Sequence, residues 1–340
     1  MLDAMLYEVF DEERKVLPKF LPSQLRVRFS PRTIQETKSH NPPARVISIR
    51  TQSRIPFSWA GKIAGILTRS QGYDHLAAFC RQAQSPVPCG YIGNYCARAV
   101  AEHAILAAMA ILRKLKKQMG CFERFERDGL TGLECQHRRA LVVGVGNIGS
   151  EIVEIARALR MDVKGSDIEK RRKDLEYVTL KEGVRWAEVV FCACSLTDQT
   201  QGMLDYGLFR HAKPGLIFIN VGRGEISPVE DLKTLLFEGI LGGLSLDVYD
   251  EESALADHLR GLRRKTTAKI RSLLELNDRD NVLLTPHNAF NTAEALEAKC
   301  RLSAESIVDF LRKGEFPCPV PSRRERIPAF AGGKTVTPKW

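Results

Sequence analysis

Residues 140–167 read ALVVGVGNIGSEIVEIARALRMDVKGSD, and this stretch decides the fold. Leu141, Val142 and Val143 form a short apolar run with the length and β-branched content of a buried strand. Gly144, Gly146 and Gly149 follow, and then Ile152, Val153, Ile155, Ala156 and Leu159 recur at helical spacing. A second short run, 161–165, leads to Asp167, eighteen positions beyond the last glycine. Strand, glycine triplet, helix, strand and terminal acid in this order are the parts of a dinucleotide-binding βαβ unit. Gly144 is expected to let the strand turn tightly, Gly146 to let backbone approach a pyrophosphate, and Gly149 to let helix pack on strand. The helix N-terminus then offers N–H groups and a positive dipole end to the phosphates. Asp167 is placed to accept hydrogen bonds from the adenosine ribose, and its charge repels a 2′-phosphate, so the expected cofactor is NAD. Arg171 and Arg172 follow closely and could in principle accommodate such a phosphate; the reading adopted for 168–173 is a solvated loop.

The rest of the composition narrows the setting. A chain of 340 residues exceeds the usual size of one core and suggests two domains. An apolar content of 44% with ordinary glycine and proline content is that of a globular protein. There is no apolar run of bilayer length, and the first sixteen residues are acidic and amphipathic rather than a signal peptide. The expected location is therefore cytoplasmic, with no membrane partner. Nine cysteines, an odd number scattered through apolar segments, fit a reducing compartment better than a disulfide framework. Cys80, Cys89 and Cys96 match no zinc spacing, and Cys192 and Cys194 alternate along an expected strand, so no metal is expected. The net charge of +10 gathers in 260–271 (RGLRRKTTAKIR) and in the tail from Arg323 onward. Without interleaved aromatics these clusters read as solvated surface rather than nucleic-acid contacts. A mild positive field also favours anionic substrates.

In chain order, 44–51 (ARVISIRT) reads as a strand, 58–63 as helix-like, and 64–76 (AGILTRSQGYDHL) as a strand entering a glycine-containing turn. Residues 87–96 read as a loop before a long apolar helix starting near Ala97, expected to cross from one domain to the other. Residues 120–139 are charged and turn-rich. Beyond Asp167, strands are expected at 187–194, 215–220, 242–250 and 281–287, with polar residues Arg223, Asp247, Glu252 and His287 in loops at their carboxyl ends. Residues 253–280 look helical and basic, and a last helix is expected over 292–312.

Six motifs in one order carry a family resemblance: TRSQGYDHL, ARAVAEHAIL, VVGVGNIG, AKPGLIFINVGRGE, GGLSLDVYDEE and NVLLTPHNAF. They resemble the D-isomer-specific 2-hydroxyacid dehydrogenases, and the last motif together with Tyr95 looks nearest the D-lactate branch. The resemblance implies an α/β fold of two Rossmann-like, doubly wound parallel-sheet domains. Residues 1–102 and 291–340 would form a discontinuous catalytic domain, and 103–290 the NAD-binding Rossmann domain. It also implies a homodimer, with a small 2-oxo or 2-hydroxy acid as the substrate and direct hydride exchange between its C2 and the nicotinamide.

Carried across motif by motif, Arg223 would fork onto the substrate carboxylate, and His287 would be the acid/base. Glu252 would partner His287, although Asp250 and Glu251 beside it are acidic too. Cofactor contacts would come from Gly144, Gly146, Asn147, Ile148, Gly149, Asp167, Cys194, Ser195, Thr200, Val221 and Gly222, with Asp247 toward the nicotinamide. Gln71, Gly72, Tyr95, Arg98 and Phe290 would face the substrate. Arg98 departs from the asparagine expected there; it either flanks the helix or reads a second acidic group. Ser195 stands where the family often has proline. A non-catalytic NAD-sensing module of corepressor type is the rival from another class. A formate-type enzyme of this fold would pair its histidine with glutamine, which Glu252 opposes.

Overall fold

The computed structural model describes residues 1–83, 87–262 and 265–321. They divide into two compact units, one of Met1–Tyr95 with the described residues from Thr292 onward, the other of Cys96–Asn291.

The chain opens with β1 (Leu2–Leu6), α1 (Asp11–Val16), β2 (Val27–Phe29), α2 (Ile34–Thr37), β3 (Ala44–Ile49), β4 (Gly65–Thr68), α3 (Asp74–Gln82) and β5 (Cys89–Tyr91). These strands make a parallel sheet in the order β2-β1-β3-β4-β5. Three of them, β1, β2 and β5, depart from the sequence expectation. The acidic opening segment hides β1, whose alternate residues Ala4 and Leu6 are fully buried. The expected loop at 87–96 holds β5, three residues around Gly90 that exist as a strand only through pairing with β4. The helix-like segment at 58–63 is instead a short 3-10 turn, Phe57–Trp59, that buries Trp59.

The second unit begins with α4 (Ala97–Leu112) and α5 (Leu115–Cys121). α4 does not run between domains as expected. It lies wholly in this unit, packed on the helix Asn147–Ala158 and the strand Leu216–Asn220, with alanines such as Ala101, Ala104 and Ala108 buried. The sheet follows with β6 (Arg139–Val143), α6 (Asn147–Ala158), β7 (Asp162–Ser166), β8 (Glu176–Tyr177), α7 (Leu180–Trp186) and β9 (Val189–Cys192). Then come α8 (Tyr206–Phe209), β10 (Leu216–Asn220), α9 (Val229–Phe237), β11 (Leu241–Leu246), α10 (Glu252–Leu259), α11 (Ala268–Asn277) and β12 (Val282–Leu284). All strands are parallel, in the order β12-β11-β10-β9-β6-β7-β8, so the winding reverses between β6 and β9. Every residue of β9 and β10 is buried, as strands covered on both faces require. β8, two residues long, carries no hydrophobic pattern and was not foreseen. β9 ends at Cys192, so Cys194 lies beyond the strand rather than along it. Of the basic cluster, 263–264 lie outside the described residues, Arg260 and Arg271 are exposed, and the tail from Arg323 lies outside them entirely.

The last helix, α12 (Ala293–Lys313), is capped by the Thr292 hydroxyl and ends at Gly314 with φ 78°. Its buried face (Cys300, Ala304, Ile307, Phe310) closes the core of the first unit with Ala4, Leu6, Val46 and Leu67. Burial of side chains of this size contributes about 1.5–3 kcal/mol each. At the foot of α12, the Lys299 Nζ sits 2.5 Å from Glu13 Oε1 of α1. Arg69 Nη2 lies 3.7 Å from the same carboxylate and donates to the Tyr7 carbonyl at 2.7 Å.

Candidate active site

The glycine loop after β6 behaves as its three positions require. Gly144 turns at φ 85°, and a Cβ there would fall 2.5 Å from the Cys194 backbone. A Cβ on Gly149 would come 1.9 Å from the Gly144 carbonyl, so neither place accepts a side chain. At Gly146 a Cβ would meet nothing within 4 Å. The space it faces lies before the first turn of α6, Asn147 to Gly149, whose N–H groups have no partner within the helix. Asp167, at the end of β7, accepts from Val145 N at 2.6 Å and Glu169 N at 2.9 Å, which pins the loop and leaves carboxylate lone pairs over. The loop therefore fits a dinucleotide pyrophosphate with its ribose on Asp167. Arg172 is bonded to Asp174, Glu154 and the Ser150 carbonyl, and Arg171 to Glu169. Both guanidinium groups thus sit on carboxylates.

Across the reversal point, Val221 N donates to the Cys192 carbonyl at 3.1 Å, and Gly222 packs where a Cβ would strike the Cys194 carbonyl at 2.8 Å. Ser195 is exposed. The Thr200 hydroxyl donates to the Ser195 carbonyl at 2.7 Å and accepts from Thr197 N at 2.8 Å, bonds that shape the 195–200 loop.

Loops after β10, β11 and β12 bring four polar residues of this unit to the same edge of the sheet. Arg223 follows β10, half-buried, its carbonyl held by the Nδ2 of the fully buried Asn220 at 2.9 Å. Its Nη1 donates to the Gly222 carbonyl at 2.8 Å. Glu252 opens α10, and His287 follows β12 with φ 51°. His287 Nδ1 lies 2.9 and 2.8 Å from the two Glu252 oxygens, both side chains 22% exposed. A carboxylate only accepts, so Nδ1 carries the proton and Nε2 is the acceptor of the neutral ring. Asp250 is paired with Lys269, which singles out Glu252 from the acidic run. The Phe290 ring stands edge-on to His287 at 6.4 Å. Asp247, expected to touch the nicotinamide, is 2% exposed and accepts from Thr285 Oγ1, Asn288 N and Ala289 N at 2.6, 2.8 and 2.9 Å. These bonds make it the clamp of the His287 loop.

Arg98 also belongs to this unit. Its 59% exposed side chain meets Glu102 at 2.6 Å and Glu151 at 3.4 Å. Gln71, Gly72 and Tyr95 belong to the other unit. There, Ser70 Oγ donates to the Gly72 carbonyl at 2.7 Å, while Gln71 Oε1 is buried without a hydrogen-bond partner. Tyr95 packs half-buried beside Leu67 and Ile92. Sequence reasoning missed Asn220, Tyr249 and Thr285, which hold the loops that carry Arg223 and His287. Their one signal is a polar residue at the end of, or just past, an apolar strand.

Comparison with known proteins places this geometry in a family. The profile described as "D-isomer specific 2-hydroxyacid dehydrogenase, NAD binding domain" matches residues 103–289, more than half of the chain. The chain belongs to that family, and its central unit is an NAD-binding domain. Among curated relatives, the glyoxylate reductase of Pyrococcus furiosus is 26% identical over 333 residues, 91% of this chain and 87% of that one. The aromatic 2-oxoacid reductase of Clostridium sporogenes is 26% identical over 255 residues, 73% of this chain and 76% of that one. Among solved structures, the D-lactate dehydrogenase of Aquifex aeolicus with NAD and lactic acid superposes with a TM-score of 0.81 at 24% identity. It covers 94% of this chain and all (100%) of that one.

Proposed function

We propose that the protein is an NAD-dependent oxidoreductase interconverting a D-2-hydroxy acid and its 2-oxo acid. The observation that carries this reading is the His287–Glu252 pair at the carboxyl edge of the sheet. With Nδ1 held by the carboxylate, Nε2 takes the substrate hydroxyl proton in oxidation and returns it in reduction, and Glu252 stabilises the imidazolium formed between. Arg223 grips the substrate carboxylate with two charge-assisted hydrogen bonds and so orients C2. When bound, NAD supplies the hydride acceptor. Gly144, Gly146, Asn147, Ile148, Gly149 and Asp167 hold its adenosine half, and Cys194, Ser195, Val221 and Gly222 line the crossing. Residues 1–95 with α12 serve as the substrate domain, with Gln71, Gly72 and Tyr95 reading the acid. Pyruvate and its short homologues suit this reading, since the relatives are named for glyoxylate, lactate and larger 2-oxo acids.

The protein works as a homodimer in this proposal. Met119, Phe122 and Phe125, in and just after α5, are each at least 69% exposed, with Leu106 of α4 at 61%, and are the apolar side chains this proposal buries between protomers. Phe122→Glu should turn a dimer into a monomer in sedimentation velocity; a wild-type monomer would refute the assignment.

The test of the activity is NADH oxidation by the purified protein against pyruvate, phenylpyruvate, 2-oxoisocaproate, oxaloacetate and glyoxylate. Turnover with one of these, lost in His287→Ala, is the expected result. Tight NADH binding with no turnover on any would overturn it in favour of an NAD-sensing module.

A further inference from the structure

We propose that His103 is a positioning residue for the reaction, holding the His287 loop in its strained pose through a directed hydrogen-bond chain. The proposal rests on the dehydrogenase reading for its catalytic consequence, but not for its geometry. Asp247 is buried and its carboxylate can only accept. Thr285 Oγ1 lies 2.6 Å from Asp247 Oδ1, so the single hydroxyl proton is on that contact. His103 Nε2 lies 3.3 Å from the same Thr285 oxygen, which has only lone pairs left. One polarity satisfies both contacts: His103 Nε2–H donates to Thr285, whose hydroxyl donates to Asp247. His103 is thereby fixed as the Nε2–H tautomer, and its Nε2 stands 4.0 Å from Asp247 Oδ1, well inside the field of that charge.

The far end of the chain is the reactive loop. Asp247 spends its remaining contacts on the N–H groups of Asn288 and Ala289, the two residues after His287. Tyr249 Oη lies 2.7 Å from the Thr285 carbonyl, and His287 N donates to that carbonyl at 2.9 Å. His287 itself sits at φ 51°, a left-handed conformation that a non-glycine residue keeps only where its surroundings over-determine it. A carboxylate and a hydroxyl both rotate, so Asp247 and Thr285 need a fixed outer partner to hold one arrangement. His103 supplies it from the middle of the sixteen-residue α4, whose place is set by the buried Ala101 and Ala104 on either side of it. A preorganised acid/base loses rate when its pose blurs, even when ligand binding is intact.

The experiment has two arms. Long-range proton–nitrogen NMR of imidazole-labelled protein should show His103 as the Nε2–H tautomer. An Nδ1–H tautomer would reverse the chain and overturn the proposal, whatever the enzyme does. In the second arm, His103→Leu should lower kcat about tenfold, the scale of one lost hydrogen bond to a polar network, with the KM for NADH unchanged. His103→Gln, which keeps an N–H at similar reach, should restore kcat to within about threefold. A His103→Leu protein with wild-type kcat, or a His103→Gln protein as impaired as His103→Leu, would overturn it. If the wild type turns over no 2-oxo acid, the dehydrogenase reading fails by itself. The position and width of the His287 Nδ1–H resonance in wild type and His103→Leu then replace kcat, and an unchanged resonance refutes the positioning role.

Discussion

Glu13 and Glu252 each hold a basic side chain at hydrogen-bond distance, and the two pairs do opposite work. Glu13 meets Lys299 at 2.5 Å with both side chains 1% exposed; Glu252 meets His287 at 2.8 Å with both 22% exposed. Burial pushes the Glu13 carboxyl up, but Arg69, Lys299 and Arg50 outweigh it and hold the group down at about 2. Burial, helped by Arg50, brings Lys299 down to about 8 although Glu13 opposes this. A pair so enclosed exchanges no proton with a ligand; it ties the first helix of its unit to the last. The partly exposed pair sits where a solute can reach the ring. Access to solvent separates a buried strut from a pair that a ligand can reach.

The largest expected effect that tests this contrast is on chemistry. His287→Ala should lower kcat/KM by about 10³-fold or more while the melting temperature stays near wild type. A large loss of stability instead would make His287 a strut as well. Next comes Glu13→Gln, which removes the buried charge facing Lys299 and Arg69 and should destabilise the fold by about 3–5 kcal/mol in denaturant unfolding. Its activity per folded molecule should be unchanged.

The same carboxylate carries a pH signature. Its folded pKa of about 2 lies below the ordinary 4.5, so its stabilisation is whole above pH 4.5 and disappears as pH falls toward 2. That contribution is about 3 kcal/mol, and the wild type should lose it over this window while Glu13→Gln shows no such term. Glu252→Gln keeps the shape of the working pair but not its charge, and should cost about 10–100-fold in kcat/KM with little change in stability. Asp167 stands between the two extremes, a half-buried carboxylate on two backbone N–H groups. Asp167→Ser should weaken NADH binding about tenfold by titration and narrow its preference over NADPH, the smallest of these effects.

The cofactor half of the site was legible because its parts are contiguous. Strand, glycine turn, helix and acid follow one another within 28 residues, and each glycine's role is local backbone geometry. The apolar runs of β9 and β10 were readable for the same reason, since burial on both faces writes itself into every residue. The short strands β1, β5 and β8 were not readable, because a strand of two to five residues exists through its neighbour rather than its own pattern. The resemblance pointed to Glu252 within the acidic run of Asp250, Glu251 and Glu252, but its pairing needed the fold: Lys269, arriving from α11, takes Asp250, and Glu252 lies against His287. Nothing in the sequence connects His103 with Thr285, 182 residues apart, or Glu13 with Lys299. Backbone conformation and periodicity are properties of neighbours in the chain. Hydrogen-bond polarity, charge pairing and access to water belong to neighbours in space, and only folding brings those together.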